Sequence, residues 1–218
     1  MKAVQASKPL IRVAVADGDP LRLVGLRTVL GPKSGFELSS IDPSEITGQQ
    51  DFDVVLLWNH AGKRALDVMA GWQARNLHLP IVVTGIAMTD DAMYKSVTYG
   101  ARGCVEEGAD AAEFARAFRA VYEGSIWVPR RVLFMFVERT KAAEGRSLPP
   151  SRRTFTNREK EVLQLLVAGR SNREIGTPLG IEERTVKAHV AKLMRKVGVQ
   201  SRIALSVHAI THSLVSPR

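Results

Sequence analysis

Apolar residues in the first part of the chain fall in short runs separated by segments with helical spacing. Ile11–Ala16 (IRVAVA), Phe36–Ser40, Val54–Trp58 (VVLLW), Ile81–Thr84 (IVVT, after Pro80) and Gly103–Glu106 read as five strands. Pro20–Leu30 places Leu23, Leu26 and Leu30 on one side at i, i+3, i+7, with Val29 beside them, and Pro20 suits a first helical turn. Ala65–Arg75, Asp90–Tyr99 (ended by Gly100) and Ala111–Glu123 read as further helices. Runs as continuous as VVLL suit strands buried on both faces. The alternation therefore predicts a parallel sheet covered by helices on both sides.

Beyond residue 128 the strand-like runs stop. Pro129–Thr140 has helical character, and Lys141–Arg153 (KAAEGRSLPPSRR) has the Gly, Pro, Ser and Arg content of a linker. Past this linker the pattern is helical throughout. Thr156 with Glu159 three residues on is a capping-box pattern opening a helix to Ala168, which Gly169 can end. Ser171 with Glu174 repeats the pattern and opens a short helix to about Leu179. Gly180 allows a tight turn, then Glu183–Val197 and Arg202–Leu214 complete the set. The expected organisation is an α/β domain over 9–131, a connecting segment over 132–153 that begins as helix and turns flexible, and an all-α domain over 154–218.

Charge changes this picture more than composition does. Residues 1–140 carry 16 basic and 16 acidic side chains, whereas residues 141–218 carry 15 and 6, so the whole formal charge of +9 lies in the helical part. A neutral domain joined to a strongly basic one points to a polyanion as partner of the second alone. No apolar run approaches the roughly 18 residues of a membrane span, and no signal-peptide core precedes the first strand. The single cysteine, Cys104, excludes an internal disulfide and any multi-cysteine metal site. These points favour a cytoplasmic protein without membrane association. The sequence holds no nucleophile–base pair, phosphate-binding loop or metal cluster, which argues against an enzyme and against a bound cofactor or metal.

Two helices joined by a short glycine-containing turn make a helix-turn-helix. In Glu183–Val197, the residues Val186, Val190, Leu193 and Val197 form an apolar stripe. Arg184, Lys187, Ala188, Ala191, Lys192 and Arg195 form a second stripe of basic or small residues, with Thr185 beside it. Small side chains let a helix approach the floor of a major groove, and a methyl group can meet a thymine methyl. Lys187 reaches either a guanine edge or a phosphate. Arg184, Lys192 and Arg195, with Arg173 on the preceding helix, are phosphate candidates that supply affinity without sequence information. A solvated basic helix on a small bundle is the plainer explanation, but stripe, turn, caps and charge agree on the first. His189 reads as structural, since no second His or Cys lies at ligand spacing.

The segment FTNREKEVLQLLVAGRSNREIGTPLGIEERTVKAHVAKLMRKVGVQSR resembles the LuxR-type helix-turn-helix over nearly its full length, through T-x-R-E, G-x-S-N-x-E-I, TVKxHV and KxGVxSR. The resemblance implies four helices, with Glu183–Val197 as the recognition helix, double-stranded DNA as partner, and a last helix often used to form a homodimer. Pro178 departs from the pattern by removing a bond to the carbonyl of Glu174, and Glu182 replaces the usual hydroxyl cap.

Residues 11–131 resemble the receiver domain of NarL/FixJ-class response regulators, through IRVAVADGDPLRLVGLRTVL, FDVVLL, LPIVVTG, YGARGCVEEGAD and AVYEGSIWVP. The fold implied is a doubly wound sheet of five parallel strands with five helices, α/β followed by all-α. The family gathers at the strand ends two acids, an acceptor aspartate, a hydroxyl and a lysine. Here Asp17 remains, but Gly18 stands at the second acid, Trp58 at the acceptor, Gly85 at the hydroxyl and Glu107 at the lysine. Phosphoryl transfer needs a nucleophilic oxygen, a metal and positive groups for the developing charge. Indole offers no such oxygen, Asp17 and Asp19 alone make a poor magnesium site, and Glu107 has the wrong sign. Asp53 lies five residues upstream of Trp58, roughly 16 Å along the strand, at the wrong end to substitute.

The expectation is a sequence-specific DNA-binding transcriptional regulator, a homodimer, with a receiver that works without aspartyl phosphorylation and answers to a ligand or protein partner. A phosphorylated regulator with a displaced acceptor, and a protein-interaction module with vestigial DNA binding, stay open beside it.

Overall fold

The computed structural model describes residues 10–16, 19–47, 51–59, 64–75, 77, 79–144, 155–199, 201–212 and 214. The five apolar runs form one parallel sheet, β1 (Ile11–Ala16), β2 (Phe36–Ser40), β3 (Val54–Trp58), β4 (Ile81–Gly85) and β5 (Ala101–Glu106), in the order β2-β1-β3-β4-β5. Every residue of β3 and β4 is buried, as continuous apolar strands between two helical layers must be. Helices α1 (Pro20–Val29) and α4 (Ala111–Tyr122) cover one face, through Leu26, Phe114, Phe118 and Val121. The other face is covered by α2 (Arg64–Ala74), α3 (Asp90–Thr98) and α5 (Arg130–Glu144), through Met69, Trp72, Met93, Val97, Val132 and Phe136.

The resemblance implies five receiver helices, and the chain departs from it between β2 and β3. The described part of that connection holds only a single 3-10 turn, Pro43–Glu45, opened by the Asp42 side chain. No amphipathic period runs through IDPSEITGQQ, so the hydrophobic pattern alone gives four helices here, and four is what α1 to α4 provide. Helix α5 enters the segment read as a connector. Its Val132 and Phe136 lie in the sheet's own core, and its helix runs on to Glu144. Residues 145–153 of that connector lie outside the described residues.

The C-terminal domain comprises α6 (Asn157–Val167), α7 (Asn172–Leu179), α8 (Glu183–Val197) and α9 (Arg202–Thr211) around Val162, Leu163, Ile175, Val186, Val190, Leu193 and Leu205. Both capping boxes form. Thr156 N donates to Glu159 Oε2 at 2.9 Å and Glu159 N to Thr156 Oγ1 at 3.2 Å; Ser171 and Glu174 repeat this at 2.8 and 3.3 Å. Pro178 is tolerated because α7 has one residue left to run. Gly180 then takes φ +63° and turns the chain into α8. Gly180→Ala should cost the C-terminal domain about 1 kcal/mol, the left-handed penalty for an L side chain. A lowered Tm of its unfolding transition checks this.

Helix α9 serves both domains. Ile203 and Val207 join the receiver-side core with α5, while Leu205 and Ala209 belong to the helical core. The helix to which the resemblance assigns dimerisation is thus packed within the chain on those two residues. At its start, Arg202 is 4% exposed and donates to Asn172 Oδ1 at 2.9 Å and to the carbonyl of Arg170. Asn172 N in turn donates to the carbonyl of Glu123 at 3.1 Å. A Cβ on Gly124 (φ +81°) would come within 2.2 Å of Asn172 Nδ2, so only glycine allows this approach of α4 to α7.

Candidate functional sites: the recognition helix and the receiver pocket

The basic stripe of α8 divides into three parts in the folded chain. Arg184, Thr185, Ala188 and Arg195 are exposed, as is Arg173 on α7. Lys187, also exposed, and the half-buried Ala191 line the cleft between the domains, with the Lys187 ammonium 5.8 Å from the centre of the Tyr122 ring. Lys187 also pairs with Glu183 at 2.8 Å. Lys192 is directed to α6, where its Nζ lies 3.4 Å from Glu159 Oε1. Sequence spacing places these six residues on one stripe, but helical periodicity carries no information on which neighbours flank it.

Glu159 is the electrostatic centre of this domain. It is 2% exposed, accepts from Lys196 Nζ at 2.7 Å, and closes the cap of α6. The Lys196 ammonium beside it, helped by the Thr156 amide and Lys192, outweighs burial and holds its carboxyl down at about 2. The sequence signals only the capping role. The lysine pairing is a tertiary contact across 37 residues.

In the receiver, Asp17 and Gly18 lie outside the described residues. Trp58 ends β3, is 6% exposed, and packs on the α1–α4 face with Val82, Val105 and Phe114. The Arg22 guanidinium stacks over its ring at 5.0 Å from the centroid. Arg22 Nε also lies 3.7 Å from Glu107 Oε1 and 3.7 Å from Asp19 Oδ2. A cation–π contact and two ion pairs therefore converge where the family carries out phosphoryl chemistry. Asp19 has a structural duty as well, since its Oδ1 caps α1 by accepting from Leu21 N at 2.9 Å.

Gly85 has its own local reason. A Cβ there would lie 2.8 Å from the carbonyl oxygen of Asn59, so the close approach of the β3 and β4 ends excludes a hydroxyl side chain in this backbone. Thr84, its neighbour, is in register with Trp58 and fully buried. Asp53 lies at the opposite end of the strands, just before β3, where it accepts from Arg12 N at 2.9 Å and from Arg12 Nε at 3.3 Å. No group of His, Cys, Asp and Glu able to hold a metal is found among the described residues.

The sequence profile described as "Bacterial regulatory proteins, luxR family" matches residues 153–209. The nitrate/nitrite response regulator NarP of Escherichia coli is 30% identical over 205 residues, covering 90% of this chain and 93% of NarP. The chain belongs to the NarL/FixJ-class response regulators. Similarity extends to LiaR of Bacillus subtilis, 29% identical over 218 residues (95% of this chain, 100% of LiaR), and to the glycerol metabolism activator of Pseudomonas putida, 26% identical over 211 residues (89% and 92%). Among solved structures, the response regulator ChrA of a heme-sensing two-component system is 26% identical, covers 95% of this chain and 100% of its own, and superposes with a TM-score of 0.47. As a NarL/FixJ-class protein the chain is a DNA-binding transcriptional regulator, built of a receiver and a LuxR-type helix-turn-helix domain. No described helix is long and apolar enough to cross a membrane.

Proposed function

We propose that this regulator reads DNA with α8 and takes its input in a form other than aspartyl phosphate. The observation that carries the second half is the Trp58–Arg22–Glu107 cluster. An indole replaces the nucleophile, a carboxylate replaces the positive group, and one arginine contacts both. That arrangement supports a receiver held in one state by packing and charge pairing, with no group left to gain from a phosphoryl transfer. Trp58→Asp is therefore expected to take up no phosphate from a small-molecule phosphodonor with Mg²⁺, because Gly85 and Glu107 remain. Intact mass reads the outcome.

For the DNA-reading half, Arg184, Thr185, Ala188 and Arg195 form the exposed face, with Arg173 and Lys192 toward flanking phosphates. Ala191 and Lys187 line the interdomain cleft, so they meet a groove fully once the domains part. Two copies would read half-sites about one helical turn, roughly 34 Å, apart. Binding selection on random duplexes tests this half: an enriched motif with log affinity falling as log salt rises supports it. No enriched motif and no salt dependence end it. The regulator is proposed to act in the cytoplasm.

A further inference from the structure

The interdomain cleft encloses about 340 Å³, within the range of small-molecule sites. Its polar lining is strongly positive. Arg102 comes from β5, Lys187 from α8 and Arg202 from α9, with the Asn172 side chain beside them. One carboxylate lines it, Asp53, and that is engaged by Arg12. Phe52, Tyr122 and Val190 supply apolar walls.

The three cations are unequally served. Lys187 has Glu183 at 2.8 Å. Among the described residues Arg202 donates only to neutral acceptors, Asn172 Oδ1 and the carbonyl of Arg170. The Arg102 side chain has no hydrogen-bond or ion-pair partner among the described residues. Burial lowers the pKa of Arg102, and burial together with Arg102 lowers that of Arg202 to about 10. Two guanidinium groups at one enclosed place, without a carboxylate for either, carry an uncompensated desolvation cost. An oxyanion that presents two oxygens, a carboxylate or a phosphate, matches guanidinium geometry and would offset that cost.

We infer that the cleft is a binding site for a small organic anion, a carboxylate or phosphate carried on an apolar body, held by Arg102 and Arg202. The anionic group lies between the two guanidinium groups and the body lies against Phe52 and Tyr122. Because Lys187 and Ala191 line the same cleft, an occupied site holds the domains together and withholds part of the recognition helix. The site itself stands on the cleft alone. Its effect on DNA rests on the proposed reading of α8 and of an input other than phosphate.

The test uses the full chain at constant ionic strength, with phenyl phosphate, inorganic phosphate and benzyl alcohol as probes, in wild type and Arg102→Met. Tm should rise with phenyl phosphate, rise less with inorganic phosphate, and not respond to benzyl alcohol. In Arg102→Met the anion responses should need at least tenfold more probe. That variant should also melt higher than wild type without any anion, since it removes an unpaired, partly desolvated charge. No anion-specific rise, or an equal rise in Arg102→Met, overturns the site. Equal responses to the two phosphates overturn the apolar body. In parallel, phenyl phosphate should weaken binding to a selected duplex at least threefold in wild type and leave Arg102→Met unaffected. Failure of this second arm alone overturns the coupling to DNA, and loss of DNA binding in the probe-free wild type counts against the reading of α8 instead.

Discussion

Ala188→Glu is expected to weaken binding to the selected duplex by about 100-fold, some 2.7 kcal/mol, with Tm unchanged. Ala188 is exposed on α8, one turn from Arg184, so the substitution costs the fold little. At a groove floor it does two unfavourable things. It adds length where a methyl group allowed close approach, and it brings a carboxylate toward base-edge acceptors and phosphates. Glu161, exposed on α6, offers a control of opposite expectation. Glu161→Ala removes a carboxylate outside the proposed interface and should change binding less than threefold. Titrations at two salt concentrations separate the effects. The Ala188→Glu loss should persist at both, since it includes the steric component.

Glu159→Ala should destabilise the C-terminal domain by about 2 to 3 kcal/mol. The variant removes the partner of Lys196 and Lys192 and an acceptor of the Thr156 amide. Breaking a buried pair by removing one side costs about 3 to 5 kcal/mol. The lysines are 26% and 62% exposed and regain water, which reduces the figure. For a domain of this size the loss corresponds to a Tm fall of roughly 10 to 20 °C. The pH dependence has a definite sign. The carboxyl is held below its ordinary 4.5, down to about 2, so its stabilisation is complete above about pH 4.5 and is lost as pH falls toward 2. Wild type should lose stability across that window, and Glu159→Gln should lose less. Calorimetric melting of both chains at pH 6 and pH 3 measures it.

Local features of this fold are legible in the sequence, and those set by distant contacts are not. The strand runs, the two capping boxes and Gly180 act within a few residues, so periodicity and cap chemistry place them. The β2–β3 connection carries no amphipathic period, and its described residues hold only the 3-10 turn Pro43–Glu45. Trp58, Gly85 and Glu107 are identifiable as substitutions, but not Arg22, which binds Trp58 and Glu107 together. An arginine on the first turn of a helix reads as solvated until the strand ends beneath it are placed. The division of the α8 stripe is equally invisible, because Tyr122 and Glu159 reach Lys187 and Lys192 from 65 and 33 residues away in sequence. Asn172 and Gly124 hold the domains against each other through a contact that no spacing rule encodes.

Incubation of the full chain with acetyl phosphate and Mg²⁺, with intact mass and duplex binding as readouts, tests the central claim most directly. The expected result is an unchanged mass and an unchanged affinity for the selected duplex. A stoichiometric acid-labile adduct of one phosphoryl group, with a shift in affinity, would contradict it.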